Sequence, residues 1–308
     1  MSSTAASGAD RPSSLPSPPG GEGRARGIAL VAAAALFWSL GGLLARLVAT
    51  DPWTTVFWRS VFAALFLLGV TVLQERGAAW RRIRALGGPG VGMALCFAVA
   101  STCFINALSL TTVANALVIQ STSPFIAALL GWAWMGERVR RRSWLAMAAA
   151  LAGAAVMASH SWGAGSIGGD ALALVTAIAF ATATVIVRRH REARMTAAAA
   201  LANVFSALFA WPAAQPHQAG AADLGLLAFF GAAQLGFGLV LFTAGARLIP
   251  VAEASLIAVL ESVLGPVWVW LFVGEMPAAA ALMGGAIVLA ALVVHTALDL
   301  RDTRRPGS

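Results

Sequence analysis

The stretch VANALVIQSTSPFIAALLGWAWMGE (113–137) has a second copy later in the chain, VAEASLIAVLESVLGPVWVWLFVGE (251–275). The two copies align without a gap at an offset of 138 residues, share seven identical positions, and both end in Gly-Glu. Each contains an apolar run longer than about 18 residues, which as an α-helix crosses a hydrocarbon core of about 30 Å. A repeated membrane-spanning helix therefore decides the fold class.

The rest of the chain has the same apolar character. Of its 308 residues, 59% are hydrophobic and only 11% are charged, and the mean hydropathy is +0.80. A soluble domain carries about 25% charged residues. Backbone in lipid must satisfy its hydrogen bonds internally, and the apolar runs lack the period-2 alternation of barrel strands. We therefore expect an all-α membrane protein.

Ten apolar runs predict ten transmembrane helices, which we call spans one to ten. A second repeat supports their pairing, because VFAALF (61–66) in span two matches VFSALF (204–209) in span seven at five of six positions. A unit with an odd number of helices must begin its second copy on the opposite side of the membrane, so two inverted five-helix repeats follow. Chance similarity between apolar helices is the alternative. The predicted spans are 28–47, 54–73, 88–108, 113–134, 143–159, 170–187, 196–213, 225–246, 251–273 and 278–297.

The spans divide the chain into four parts. Residues 1–27 are rich in Ser, Pro and Gly and predict a disordered N-terminal tail. Residues 28–159 form the first five-helix repeat and residues 170–297 the second. Residues 298–308 are expected to be a cytoplasmic C-terminal tail.

The distribution of arginine orients the spans. All 21 basic residues are Arg, and 19 of them fall in the tails or in alternate loops on one side of the membrane. Of the other two, Arg59 lies within span two and only Arg46 lies towards the opposite side. The positive-inside rule then predicts a multi-pass inner (plasma) membrane protein with both termini cytoplasmic. The net charge of +8 has the same explanation, so we expect no nucleic-acid partner.

Several motifs resemble the drug/metabolite transporter superfamily, of the EamA type. Pro52 followed by Phe57-Trp58-Arg59 is similar to the start of the family's second helix, and 113–137, with its closing Gly-Glu, to its fourth. Glu261 is similar to the Glu of the Glu-Pro motif in the ninth. The resemblance covers residues 28–297 and implies a secondary transporter, usually an exporter of small metabolites or amphipathic compounds that is often proton-linked.

The ninth span departs from the family pattern. Ser262 stands where the motif has proline, and Pro266 follows four residues later. Because proline breaks a helix near its own position, we expect the break in this span about one turn further along.

Glu261 is the leading candidate for coupling. An ionisable side chain at the centre of a membrane costs about 2.5–3.5 kcal/mol on insertion scales, so it is rarely kept without a role. The functional interpretation is a proton- or cation-binding carboxylate in a central cavity. The structural alternative is a protonated glutamic acid that hydrogen-bonds a neighbouring helix.

Further candidates for substrate binding lie at depth in other spans. Arg59 either holds an anionic group in the cavity or snorkels to the headgroups. Polar or aromatic groups at depth can line a pocket, although interhelical hydrogen bonding or core packing explains each of them as well. These further candidates are Trp38, Asn106, Gln120, Ser123 and Gln234.

Enzymatic signals are missing. The four histidines show no metal-ligand spacing, and no glycine-rich phosphate loop occurs, so we expect no catalytic residue, metal or cofactor. The expected partners are a small-molecule substrate and membrane lipid. Small residues at Ala149 and Gly153 in span five, and at Ala281 and Gly285 in span ten, suggest a possible homodimer through these spans.

Two classes of function remain. The first is a secondary-active exporter of small metabolites, amino acids or amphipathic compounds, with or without proton coupling, or a proton-independent exchanger or uptake permease of the same fold. The second is a non-transporting membrane receptor or enzyme. Flux in reconstituted vesicles distinguishes the two classes.

Overall fold

The computed structural model describes residues 21–75, 86–111, 113–136, 139–159, 166–190, 196–274 and 279–303, and its regular elements there are all helical. The helices of the first half are α1 (Gly21–Trp38), α2 (Gly41–Leu47), α3 (Pro52–Glu75), α4 (Gly87–Leu110), α5 (Val113–Gln120), α6 (Ser123–Met135) and α7 (Arg141–Ala158). Those of the second half are α8 (Ile167–Arg189), α9 (Thr196–Ala210), α10 (Ala221–Phe229), α11 (Gly238–Gly245), α12 (Val251–Ala258), α13 (Leu260–Val273) and α14 (Ala279–Thr303). A π-helical segment, Phe230–Phe237, joins α10 to α11, and a 3-10 turn, Pro216–Gln218, precedes α10.

Six helical stretches are long and apolar enough to cross a membrane by length and composition. They are Glu22–Leu47, Pro52–Gln74, Gly87–Leu110, Ile167–Arg189, Ala221–Gly245 and Glu253–Phe272. The shorter helices Ser123–Met135, Thr196–Ala210 and Leu282–His295 are also apolar. The first helix begins at Gly21, so residues 21–27 extend it and are not part of the predicted tail.

Three spans are interrupted near their middle. Each interruption contains a tight turn closed by an i to i−3 backbone hydrogen bond: Leu40 to Phe37, Thr122 to Ile119, and Val259 to Leu256. The breaks in spans four and nine are equivalent, because α5 ends at Gln120 and α12 ends 138 residues later at Ala258. Half-helices of this kind bring backbone ends into the interior of a membrane protein.

The break in span nine is not where the proline predicts it. The expectation from Ser262 and Pro266 was a break beyond the Glu-Pro position, whereas the turn lies at Val259, before Glu261. Pro266 falls inside α13. Neighbouring helices and local adjustment can satisfy the carbonyl that a proline leaves free, so a proline in a membrane helix need not end it.

The two ends of the bundle are packed differently. The largest buried cluster contains Val31, Met93 and Phe242, which lie in the first half of spans one and three and the second half of span eight, and Ile249, which follows span eight. At this end α6 packs against α12, and α12 also packs against α1. The counterparts of α6 and α12 at the other end, α13 and α5, form no comparable interface in the described part of the chain.

Spans five and ten pack against one another within the chain. A Cβ atom placed on Gly153 in α7 would lie 2.7 Å from the carbonyl oxygen of Gly284 in α14. The absence of a side chain at Gly153 therefore permits this close approach. The Gly153 surface is used inside the molecule, and dimerisation through other surfaces of these spans stays a prediction.

Candidate functional site: a central cavity

A cavity with an empty volume of about 640 Å³ lies among the broken helices. That volume includes the open mouth of the cavity, so it is larger than the enclosed space. Eight of the ten predicted spans contribute side chains to the cavity, and spans five and ten contribute none among the described residues. The lining consists of Trp38, Arg59, Phe97, Ala100, Ser101, Phe104, Gln120, Thr176, Phe180, Ala202, Asn203, Gln234, Leu235, Leu239 and Glu261.

The structure brings five of the seven predicted binding residues to this cavity. Trp38, Arg59, Gln120, Gln234 and Glu261 line it together. The other two lie outside the lining: the Asn106 amide donates to the carbonyl oxygen of Thr102 at 2.9 Å, and Ser123 is buried at the start of α6.

Arg59 is held in the cavity wall by a set of fixed contacts. The side chain is 3% exposed, and its Nη2 donates to the carbonyl oxygen of Ser101 at 3.3 Å and also to the Ser101 hydroxyl. The guanidinium carbon lies 4.9 Å from the centre of the Phe230 ring, a cation–π contact. Of the two interpretations of Arg59, the structure therefore favours the cavity over snorkelling to the headgroups.

Glu261 is the acidic residue of the lining. It lies in the first turn of α13, where the positive end of the helix dipole favours a negative charge. Its charge interacts with that of Arg59, yet in the described part of the chain Glu261 makes no hydrogen bond and no ion pair. The carboxyl group is thus available to a proton or to a ligand.

Gln234 connects the π-helical segment to the break in span one. Its Nε2 donates to the carbonyl oxygen of Trp38, the last residue of α1, at a distance of 2.9 Å. A Cβ on Gly41 would lie 3.0 Å from the same Nε2, so the glycine after the break leaves room for the amide. Such π segments occur frequently at functional sites because they redirect side chains.

The break in span one is also tied to span nine. The indole Nε1 of Trp268 donates to the hydroxyl of Ser39 at 2.7 Å, and Ser39 in turn donates to the carbonyl oxygen of Leu36 at 2.6 Å. Trp268 lies seven residues after Glu261, two turns along α13. The helix that carries Glu261 is therefore linked to the break at Trp38.

Aromatic rings form one wall of the cavity. The ring centroids of Trp38 and Phe180 are 5.7 Å apart, those of Phe97 and Phe180 are 5.8 Å apart, and those of Trp38 and the fully buried Phe242 are 5.0 Å apart. These separations are typical of favourable aromatic pairs. Sequence reasoning did not select Phe97 or Ser101, because a phenylalanine or serine in an apolar helix carries no distinguishing pattern.

A buried ion pair lies outside the cavity. Arg24 Nη2 and Glu253 Oε1 are 2.7 Å apart, and their side chains are only 11% and 10% exposed. The pair joins the second turn of α1 to the first turn of α12, at the end of the bundle where α6 packs against α12. The sequence places Arg24 in the tail, so this contact was missed.

No metal site is visible where the structure describes the chain. Among those residues, no group of three or more His, Cys, Asp or Glu side chains converges in a way that could hold an ion. The groups in the cavity are instead a guanidinium, a carboxyl group, three amides and aromatic rings, which suit hydrogen bonding and electrostatic binding of an organic solute.

Comparison with known proteins agrees with this architecture. One solved structure, titled "Crystal structure of protein", has a TM-score of 0.76 at 19% sequence identity, and the match covers 89% of this chain and 98% of that one. At this identity the likeness concerns the fold alone. Curated proteins provide no match.

A family model gives the decisive result. The model of the EamA-like transporter family matches twice, over residues 25–159 and 167–297. These two ranges nearly coincide with the predicted repeats, and the resemblance to the drug/metabolite transporter superfamily is confirmed. Because this is a family of transporters, the expectation that the chain is not an enzyme is confirmed on the same ground. The chain belongs to the EamA-like transporter family.

Proposed function

We propose that this protein is a proton-coupled secondary-active exporter of small metabolites, amino acids or amphipathic compounds. The observation that carries the proposal is the cavity that Arg59 and Glu261 line together, in which Glu261 has no hydrogen-bonding partner within the described residues. In this scheme the carboxylate binds either a proton or the substrate, so that uptake of one favours release of the other. A ligand shifts a conformational equilibrium only through such a difference in affinity.

The surrounding architecture supports alternating access. The proposed topology has ten spans in two inverted repeats, in the inner membrane, with both termini cytoplasmic. The α6–α12 interface then closes the cytoplasmic side, and the absence of a comparable α5–α13 interface in the described residues leaves the other side less tightly packed. Exchange of these two packing states would expose the cavity to each side in turn.

Transport by purified protein in vesicles tests this function. The protein is reconstituted into proteoliposomes, and a panel of radiolabelled amino acids, organic amines and quaternary ammonium compounds is supplied with and without an imposed pH gradient. We expect accumulation of at least one compound, stimulated by the gradient and abolished when an ionophore collapses it. Flux that is indifferent to the gradient would favour the exchanger or uptake permease, and absence of any protein-dependent flux would favour the receptor or enzyme.

A further inference from the structure

Four buried polar atoms of cavity-lining residues have no hydrogen-bond partner among the described residues. The buried Oε1 atoms of Gln120 and Gln234 accept no hydrogen bond from any described residue, and Arg59 Nε and Trp38 Nε1 donate none. The carboxyl group of Glu261, which is only partly buried, accepts no hydrogen bond from the described residues either. More than about 90% of buried polar groups in proteins are paired, so the presence of four unpaired buried atoms around one cavity requires an explanation. A bound ligand supplies the missing partners.

The orientation of the Gln234 amide is fixed by its neighbour. The carbonyl oxygen of Trp38 can only accept, so the group that faces it at 2.9 Å must be the amide nitrogen. The other end of the amide is then the oxygen, which is buried and unpaired. Gln234 therefore presents its amide oxygen, an acceptor, to the cavity. A flipped amide would present its nitrogen, a donor, but would lose the hydrogen bond to Trp38 in span one.

The acceptors of the cavity come from three different spans. Gln120 is the last residue of α5 in span four, Gln234 lies in the π segment of span eight, and Glu261 lies in span nine. The negative ends of α1 and α5, at Trp38 and Gln120, face the same region and favour a cation. This part of the site thus combines three oxygen-bearing side chains with two negative helix ends, while Arg59 and the positive end of α13 lie on the side of Glu261.

We propose that Gln120, Gln234 and Glu261 form a recognition site for a primary ammonium group. A primary ammonium carries three N–H donors and one positive charge, which match two amide oxygens and one carboxylate. This inference rests on the proposed function and narrows its substrate class to organic amines with an unsubstituted amino group. The aromatic wall of Trp38, Phe97 and Phe180 receives the apolar part of the molecule.

An aromatic cavity can bind two classes of organic cation, primary ammonium and quaternary ammonium, and the proposed site distinguishes between them. A quaternary ammonium binds through charge and aromatic contact alone and donates no hydrogen bond, so it leaves the acceptors of the site unpaired. The donor Arg59 Nε remains for an acceptor elsewhere on the ligand. Selectivity between matched primary and quaternary amines therefore reports on the three acceptors specifically.

Binding to the purified full-length protein in detergent tests the site. The probes are 2-phenylethylamine, its N,N,N-trimethyl derivative and 2-phenylethanol, which share one aromatic body. We expect the primary amine to bind about tenfold or more tightly than the trimethyl derivative, because loss of a hydrogen bond to a charged group has roughly that effect. Isothermal calorimetry and thermal shift over a concentration series measure the difference.

Two variants assign the selectivity to the cavity. Gln120→Leu removes one acceptor at nearly constant size and should lower the primary-to-quaternary preference about tenfold, and Gln120→Glu should restore or raise it. Gln218→Leu, at an exposed glutamine in the turn before α10, is the matched control and should retain the wild-type preference.

Several results would overturn the inference. They are equal or tighter binding of the trimethyl derivative, no binding of any probe, or an unchanged preference in Gln120→Leu. The vesicle experiment keeps this failure distinct from failure of the proposed function. Gradient-driven flux of other compounds, with no preference for primary amines, would leave the transporter in place and remove only the ammonium site.

Discussion

The two repeats share one backbone feature at the cavity and differ in the side chains that they place there. Spans four and nine break at equivalent points, after Gln120 and after Ala258. Glu261 corresponds at the same offset of 138 residues to Ser123, which is buried outside the cavity lining. Arg59 in span two corresponds to Ala202 in span seven through the VFAALF and VFSALF segments, and both residues line the cavity.

This comparison separates the part of the molecule that shapes the cavity from the part that gives it specificity. The repeated halves supply broken helices and small or aromatic side chains on both sides. The basic group comes from the first repeat alone and the acidic group from the second alone. Backbone symmetry thus permits alternation, and the departure from symmetry creates a polar site with a defined orientation.

Arg59→Ala gives the first repeat the residue that the second repeat carries at the equivalent position. We expect the largest functional effect from this change, a loss of flux of about tenfold to a hundredfold, because the hydrogen bonds of a charged group are each worth about 1.5–3 kcal/mol. Initial rates in proteoliposomes measure the effect. The exposed Arg26→Ala is the control and should transport like the wild type. Full activity in Arg59→Ala would mean that the asymmetry of charge is irrelevant to transport.

Ser123→Glu places the carboxyl group of the second repeat at the equivalent position of the first. Ser123 is 4% exposed and lies outside the cavity lining, so the new carboxyl group has neither solvent nor a described cationic partner. We expect a destabilisation of about 3 kcal/mol. Thermal unfolding in detergent measures this loss, and Glu261→Ser should unfold near the wild-type temperature. Equal stability of the two variants would contradict the assigned environments of these positions.

The Arg24–Glu253 pair tests the comparison between the two ends of the bundle. Arg24→Gln removes this partner from the carboxylate of Glu253, and loss of a hydrogen bond to a charged group costs about 1.5–3 kcal/mol. We expect a lower unfolding temperature and faster labelling of a cysteine at Ala258, the last residue of α12. The double variant Arg24→Gln/Glu253→Gln should recover part of the stability. A double variant no better than the single one would mean that the two side chains are not coupled.

The last of these predictions concerns topology. Its cysteine substitutions serve only as labelling sites, so we expect them to affect transport least. Cysteines replace His217 and Arg140, one at a time, in a chain whose Cys96 and Cys103 are changed to Ser. The positive-inside rule predicts that a membrane-impermeant maleimide labels position 217 from outside intact cells and position 140 only after lysis. The reverse pattern would invert the proposed topology.

Much of the fold follows from the sequence, because lipid imposes a simple rule on it. Long apolar runs must become helices, and the ungapped match between 113–137 and 251–275 identifies equivalent spans. The interruptions were harder to locate. Pro124 is the second residue of α6, just after the break in span four, but the break in span nine precedes Pro266 by seven residues, and the break in span one has no proline at all.

The site was predictable in part for a different reason. Glu261, Arg59 and the two glutamines are conspicuous because polar side chains are rare at depth, and the structure gathers all four at one cavity. Asn106 and Ser123 were equally conspicuous, yet both lie outside the lining. The Asn106 amide is satisfied by a carbonyl oxygen of its own helix, which a polar side chain in a helix can use as readily as a ligand. The π segment around Gln234 depends on tertiary contacts that no local pattern encodes.

The central claim is that the Glu261 carboxyl group couples transport to protons, and Glu261→Gln tests it most directly. The amide keeps the size and hydrogen-bonding reach of the side chain but cannot ionise. Efflux of the best transported compound is measured in proteoliposomes under an imposed pH gradient, with Glu22→Gln, an exposed carboxyl group of the first turn of α1, as the matched control. We expect Glu261→Gln to lose gradient-driven efflux while it remains folded, and Glu22→Gln to behave as the wild type. Gradient-driven efflux by Glu261→Gln at the wild-type rate would contradict the account and make Glu261 a structural residue.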